Sequence, residues 1–314
     1  MAYWTSVSLK TLLGLVLLGA SLALPTQAQA QSARPLDLSQ LLPDLPASLV
    51  QARATLLDGH AKKAEKLAAK WIEDHDEAAP HRDSALLLKA RARLQRRRLY
   101  KAFETYDQLL DEHPASKLFE TALREQMDIA RRFLLGERRK VWGFIPTSAR
   151  TEAIEILDRV VERWPGSALA AEALMMQADF YYQRGRFLEA QSSYQLLVDH
   201  YSKTTLYERA LLRNAEATHA QYRGPAYDSS CLTDARVRYV QYRARFAEKA
   251  AQLGITQRLQ RIDWELAEKH YNIADFYRRT HQPQAARIYA QHVQQRWPDT
   301  VWAERAAQLL VDSD

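Results

Sequence analysis

Five stretches of this chain carry one pattern: a small residue, a second apolar residue four places on, a third seven places on, and a turn twelve places on. The small residues are Ala64, Ala102, Ala153, Ala190 and Ala286. Ala68, Tyr106, Leu157, Tyr194 and Ala290 follow at four places, and Trp71, Leu109, Val160, Leu197 and Val293 at seven. Asp76, Pro114, Pro165, Ser202 and Pro298 stand where a helix should stop. Ala235, Tyr239 and Tyr242 fit the first three places of a sixth unit, in which Ala247 replaces the breaker. Spacings of four and seven mark one face of an α-helix, and recurrence every few dozen residues marks a repeat array rather than one closed core.

Each unit reads as a helical hairpin. In the fourth, Ala178 and Tyr181 lie on a first helix ended by Gly185, and Phe187, Ala190 and Tyr194 lie on a second. The second unit repeats this with Ala90, Leu99, Ala102 and Tyr106, and the sixth with Ala274, Tyr277, Ala286 and Tyr289. Small residues let the paired helices approach, and the aromatics fill the groove between neighbours. Proline ends a helix because it removes a donor and clashes with the preceding turn. Ser116, Ser167 and Thr300, two residues after these prolines, are candidate N-caps. Two segments interrupt the pattern, 136–146 and 223–228, and both are expected as loops inside hairpins, joining the two helices of units three and five.

Residues 1–30 read as a secretory signal. Met1 to Lys10 carries one positive charge, Thr11 to Leu24 is apolar, and Ala28-Gln29-Ala30 offers small residues for cleavage after Ala30. About 14 apolar residues fall short of the roughly 20 that span a bilayer. Residues 31–46 form a proline-punctuated extended lead, and 47–314 the repeat domain. The expected product is exported and periplasmic. With no cysteine near the cleavage site, no lipobox cysteine is available for acylation. Cys231 is the single cysteine, so no intramolecular disulfide holds the fold. The net charge is +6, and Lys10 is the only charged side chain in residues 1–30, so the mature chain carries +5. The arginine runs 96–98 and 138–139 suit acidic protein surfaces or anionic headgroups outside the cytoplasm, or a solvated helix face. No nucleic-acid partner is expected.

The hairpin pattern resembles the tetratricopeptide repeat, whose basic period is 34 residues. Successive small residues lie 38, 51, 37, 45 and 51 apart, so every unit carries additions. The final unit runs from Glu268-Lys269-His270-Tyr271 through Ala285-Ala286-Arg287 to Arg296-Trp297-Pro298-Asp299-Thr300. With the His113-Pro114-Ala115-Ser116 ending of the second unit, it resembles the BamD-like family of outer-membrane assembly factors. The resemblance covers roughly residues 48–312. It implies a non-catalytic scaffold that docks a β-barrel assembly subunit or an unfolded outer-membrane protein, with peripheral contact to the outer membrane left open. The other reading is a periplasmic repeat adaptor that coordinates envelope or peptidoglycan synthesis.

Motifs for chemistry are missing. There is no Gly-x-Ser-x-Gly, no phosphate loop after Gly136 or Gly143, and no metal spacing among the nine histidines. Asp74-His75-Asp76-Glu77 sits at an expected turn. The expectation is therefore no catalytic residue, cofactor or metal. A hydrolase hidden in the loops at 136–146 and 223–230 is the rival that a substrate panel would detect. Tyr181, Tyr194, Tyr239, Tyr277 and Tyr289 occupy packing positions. Residues one place beyond these on the first helices would line the inner face of the array. They are Arg91, Gln95 and Arg98 in unit two, with Asp179, Tyr182 and Gln183 in unit four, and they suit an extended peptide. The fold expected is an all-α right-handed superhelix of about six such hairpins.

Overall fold

The computed structural model describes residues 38–141 and 145–311. The signal-peptide expectation and most of the lead lie outside them. The chain divides into two units at Asp44. In the first, the described part holds one helical turn, α1 (Leu38–Leu41), where the lead was expected to be extended. Pro43 then stops it, since the residue before a proline is pushed out of the helical region.

Among the described residues of the second unit, the regular structure is helix but for one small ribbon. Its hairpins are α2 (Ala47–Leu57) with α3 (Ala61–Glu73), and α4 (Arg82–Gln95) with α5 (Leu99–Glu112). Next come α6 (Phe119–Leu134) with α7 (Arg150–Arg163), and α8 (Ala168–Gln183) with α9 (Phe187–His200). Then follow α10 (Tyr207–His219) with α11 (Ser230–Arg245), the short α12 (Ala247–Gln252), and α13 (Ile255–Arg279) with α14 (Pro283–Arg296). α15 (Val301–Val311) closes the array. Consecutive helices of each hairpin pack together, and first helices of neighbouring hairpins also meet, α2 with α4 and α6 with α8. This is an all-α helical solenoid. Among the described residues no helix is long and apolar enough to cross a membrane.

The repeating positions form the core. Ala64, Ala102, Ala153, Ala190, Ala235 and Ala286 expose no surface, and Tyr106, Leu157, Tyr194, Tyr239 and Ala290 are buried beside them. An alanine at the crossing lets two helix backbones approach to the short end of the usual 8–10 Å spacing. Of the five tyrosines expected to pack, Tyr194 and Tyr239 are fully buried. Tyr181, Tyr277 and Tyr289 are half-buried instead. Tyr277 and Tyr289 stack with ring centroids 5.5 Å apart.

Five second helices reach their C-cap one residue before the expected place, by a shared device, whereas α3 is capped by Asp74, two residues before Asp76, in a helical conformation. His113, Trp164, Tyr201, Phe246 and Trp297 each stand just after a second helix, with φ between −137 and −124 and positive ψ. A proline follows three of them, but Tyr201 and Phe246 take the same conformation without one. The break therefore belongs to the aromatic junction as much as to the proline. After Phe246 the chain re-enters a helix at Ala247, so the missing breaker produces α12.

Four hairpin turns are also identical. Asp58-Gly59-His60, Arg96-Arg97-Arg98, Arg184-Gly185-Arg186 and Thr280-His281-Gln282 each put the middle residue at positive φ, 81, 55, 70 and 57°. In each, the third residue donates its N–H back to a carbonyl five places earlier, Thr55, Arg93, Tyr181 and Tyr277. This closes the helix C-terminus by the left-handed cap that favours glycine.

Caps and loops differ in part from expectation. Ser167 caps α8 by accepting from Ala170 N at 3.0 Å, and Thr300 accepts from Ala303 N at 3.3 Å. Ser116 instead accepts from Leu118 N at 3.0 Å, a turn ahead of α6. The segment 136–146 is not a plain loop: β1 (Arg138–Val141) pairs antiparallel with β2 (Ile145–Ser148), Arg138 opposite Ser148. Four-residue strands are too short to show alternation, and Pro146 is tolerated because a two-stranded ribbon is all edge. The loop at 223–228 is tied down by Lys269 of α13, whose ammonium donates to the Pro225 carbonyl at 3.4 Å and to the Tyr227 carbonyl.

Candidate protein-interaction surface

The residues expected to meet a partner fall into two groups. Arg91 on α4 lies across the hairpin boundary from Glu125 on α6, with Nη2 2.9 Å from Oε1. Asp179 on α8 accepts from the Tyr194 hydroxyl at 2.5 Å and pairs with Arg209 on α10. Tyr182 packs edge-on to Phe187 at 5.3 Å, and the Arg213 guanidinium of α10 stands 5.4 Å over its ring. These three side chains are committed to joining neighbouring hairpins. Gln95, Arg98 and Gln183 are exposed. Gln95 donates at 3.3 Å to the Leu56 carbonyl of α2, and Arg98 Nη1 lies 4.0 Å from Glu65.

The same strut chemistry continues along the row of first helices. Glu216 on α10 takes Arg213 at 2.9 Å and also Arg258 from α13. His219 Nε2 lies 3.0 Å from Glu265 of α13. On the second helices, Asp107 of α5 receives Arg159 and Arg163 of α7, the latter at 2.8 Å. Sequence reasoning missed the pairs that join hairpins because their members lie 30 to 56 residues apart, without a local signature.

It also missed Arg82. This residue opens α4 and is buried. Its Nη1 donates at 2.9 Å to both the Ile72 and His75 carbonyls at the end of α3, and its Nε donates at 2.8 Å to Glu112 of α5. One guanidinium thus satisfies carbonyls that the α3 C-terminus leaves without partners. Burial pushes the Glu112 carboxyl up, but the hydrogen bonds from Arg82 and Gln108 outweigh it and hold the group below its ordinary range.

At the first two hairpins, three arginines surround one carboxylate. Glu65 on α3 takes Arg93 Nε at 3.1 Å, Arg96, and Arg98. Burial raises this carboxyl, and the bonds from Arg93 and Arg96 together bring it below the ordinary value. A cleft of about 790 Å³ lies beside it, lined by Lys62, Lys63, Lys66, Gln95 and Arg96. A second cleft, about 730 Å³, lies between the Gly185 turn and the loop at 223–228, with Leu188, Tyr227 and Cys231 on its walls.

Groups suited to covalent or metal chemistry are otherwise engaged. The His75 ring stacks on Trp71 at 4.0 Å and its Nδ1 bonds to the Trp71 carbonyl at 2.8 Å. The described residues contain no group of three or more His, Cys, Asp or Glu placed to hold a metal. The Cys231 thiol is half-buried, and burial followed by the nearby Asp228 pushes its pKa up. It stays protonated at neutral pH, whereas a nucleophilic cysteine needs the thiolate.

The family model for the tetratricopeptide repeat matches residues 84–116 and 172–204, which begin just inside the second and fourth hairpins and run through their turns and second helices. No curated protein matches the chain. Among solved structures, the C-terminal part of a TPR repeat-containing protein from Cytophaga hutchinsonii is similar at 14% identity. It covers 84% of this chain and 86% of that one, with a TM-score of 0.38. A tetratricopeptide repeat protein from Parabacteroides merdae is similar at 13% identity, covering 85% of this chain and 97% of its own, with a TM-score of 0.35. With its helical hairpins stacked in order and two of them matching the repeat model, the chain is a helical solenoid that carries tetratricopeptide-type repeats.

Proposed function

We propose that this chain is a non-catalytic, exported protein-binding scaffold, acting in the periplasm as a BamD-like component of outer-membrane β-barrel assembly. The observation that carries the scaffold reading is the repeat array itself. Ion pairs such as Arg91–Glu125, Asp179–Arg209 and Glu216–Arg258 join neighbouring hairpins, and the exposed residues beside them are polar and charged. Such a surface suits many modest contacts with an extended partner. The apolar run before Ala30 supports export, and the closing Arg296-Trp297-Pro298-Asp299-Thr300 supports the family resemblance.

The test is crosslinking of the tagged protein in native cell envelopes, with captured proteins identified by mass spectrometry. Recovery of a β-barrel assembly subunit or unfolded barrel proteins is the expected result. Recovery of wall-synthesis proteins without barrel components would overturn the assembly assignment in favour of the adaptor reading. The matching variant is Arg98→Gln with Gln183→Glu, which changes exposed side chains and leaves Glu65 paired with Arg93 and Arg96. Unchanged capture by that variant would remove the first-helix row from the binding surface.

A further inference from the structure

The charge of this chain is concentrated at one place in the array. Residues 58–70 and 89–101 hold eleven basic side chains against two acidic ones, Asp58 and Glu65. That excess of nine is larger than the +6 of the whole chain, so everything outside these stretches is net acidic. The crowding is felt locally: the Lys89 ammonium is pushed down by burial and then by Arg93. In the turn between α4 and α5, Arg97 occupies the positive-φ position that Gly59 and Gly185 hold in equivalent turns. A basic side chain stands there at a backbone cost that glycine would avoid.

Within this region the turns of hairpins one and two bound the cleft of about 790 Å³. Arg96 is already paired with Glu65. Lys62, Lys63 and Lys66 are exposed on the first two turns of α3 and, among the described residues, make no ion pair. Positions 62 and 66 are one helical turn apart on one face, with 63 beside them, so the three ammonium groups are neighbours. The positive end of the α3 dipole adds to their field.

The matching ligand chemistry is anionic oxygen, and three features choose its source. The site is an open groove between two hairpin turns, along which an extended chain can lie. No Trp, Tyr or Phe lines it and His60 is its one ring, so it lacks the aromatic anchors of a membrane interface and the row of rings on which successive bases stack. Finally, the region already holds one carboxylate, Glu65, against several guanidinium groups. We infer that this cleft docks an acidic segment of a protein partner, whose carboxylates pair with Lys62, Lys63 and Lys66. In an extended segment, side chains on one face recur about every 7 Å, within reach of neighbouring lysines on α3. The inference rests on reading the chain as a protein-binding scaffold.

The test is fluorescence anisotropy with a labelled ten-residue peptide of alternating Glu and Ser, and its Gln-for-Glu counterpart. The Glu peptide should bind saturably and weaken as salt rises from about 50 to about 300 mM, and the Gln peptide should not bind. The variant Lys62→Glu/Lys63→Glu/Lys66→Glu should weaken binding by at least about tenfold. The variant Lys117→Glu/Lys203→Glu/Arg243→Glu makes the same charge change at exposed positions elsewhere and should cost less than about threefold. Circular dichroism of both variants checks that they fold. Equal loss in the two variants, no binding of the Glu peptide, or tighter binding of the same lysines to phosphatidylglycerol vesicles would each overturn the cleft assignment. Envelope crosslinking separates this from the broader reading. A cleft variant that captures the wild-type partner undiminished leaves the scaffold standing and removes the cleft. A wild-type chain that binds the Glu peptide yet captures no protein does the reverse.

Discussion

Replacing Arg82 by Met keeps a long side chain at the start of α4 and removes its charge and donors. The native guanidinium is 8% exposed and serves three acceptors, Glu112 Oε2 and the carbonyls of Ile72 and His75. Stripping one partner from a buried ion pair costs about 3–5 kcal/mol, and Glu112 keeps some water, so its share falls near the lower end. The two carbonyls lie at the end of α3, where solvent replaces part of what they lose. The expected destabilisation is therefore roughly 3 kcal/mol. Because hairpins in an array depend on their neighbours, the loss should be local. Native-state hydrogen exchange should show faster opening of amides in α3–α5 and unchanged protection in α13–α15. The pH dependence supplies a second check. Arg82 helps hold the folded Glu112 carboxyl below its unfolded value. That contribution is complete above the unfolded value near 4.3 and is lost as pH falls through the lower folded value. In Arg82→Met the lowering from Arg82 is gone and burial dominates, so the variant lacks this acid-dependent loss. The gap between wild type and variant in urea should thus shrink from pH 6 to pH 3.5. A gap under about 0.5 kcal/mol, or one independent of pH, would refute the assignment of Arg82 as the clamp between hairpins one and two.

Three further outcomes follow from the repeat geometry. Ala102→Leu inserts bulk at a position with no exposed surface and should cost at least about 2 kcal/mol by urea unfolding, because close-packed crossings cannot absorb it. His281→Gly should stabilise the α13–α14 turn by roughly 0.5–1 kcal/mol, and Gly185→Ala should destabilise its turn by a similar amount, since both middle residues have positive φ. His270 of α13, packed against His292 of α14, has its pKa lowered by burial and then by His292 and Lys269. Its stabilising contribution is complete above the unfolded value near 6.5 and declines as pH falls toward the lower folded value. His270→Phe should therefore flatten the loss of Tm between pH 7.5 and 5, and an unchanged slope would count against burial of the neutral ring.

The sequence exposes what has a short period. Ala102, Tyr106 and Leu109 can be found because burial recurs at four and seven places on one helix, and every such position is buried in the structure. Turns are legible where glycine marks them, as at Gly185. The equivalent turns at Arg97 and His281 are not, because residues unusual at positive φ occupy them and geometry alone reveals the equivalence. The paired strands at 138–141 and 145–148 look like loop in the sequence because four residues give too little alternation to detect. The inter-hairpin ion pairs need the stacking of the hairpins before their partners can be named. Arg91 was therefore legible as a polar residue on a first helix, but its engagement with Glu125 was not.

That difference bears on where a partner can bind. A partner that recruited Arg91 or Asp179 would have to separate each from Glu125 or Arg209, and the new contact would first offset the broken one. The net gain from such an exchange is small, even when the final contact is short. Side chains without an internal partner face no such subtraction. Among the described residues Lys62, Lys63 and Lys66 are of this kind, and they stand at the turn edge rather than in the row of struts. Exposed charges also act before contact, raising the rate of encounter with an acidic chain in a salt-dependent way. In this array the strut residues fix the spacing of the hairpins, and the uncommitted lysines at one edge are placed to supply the attraction.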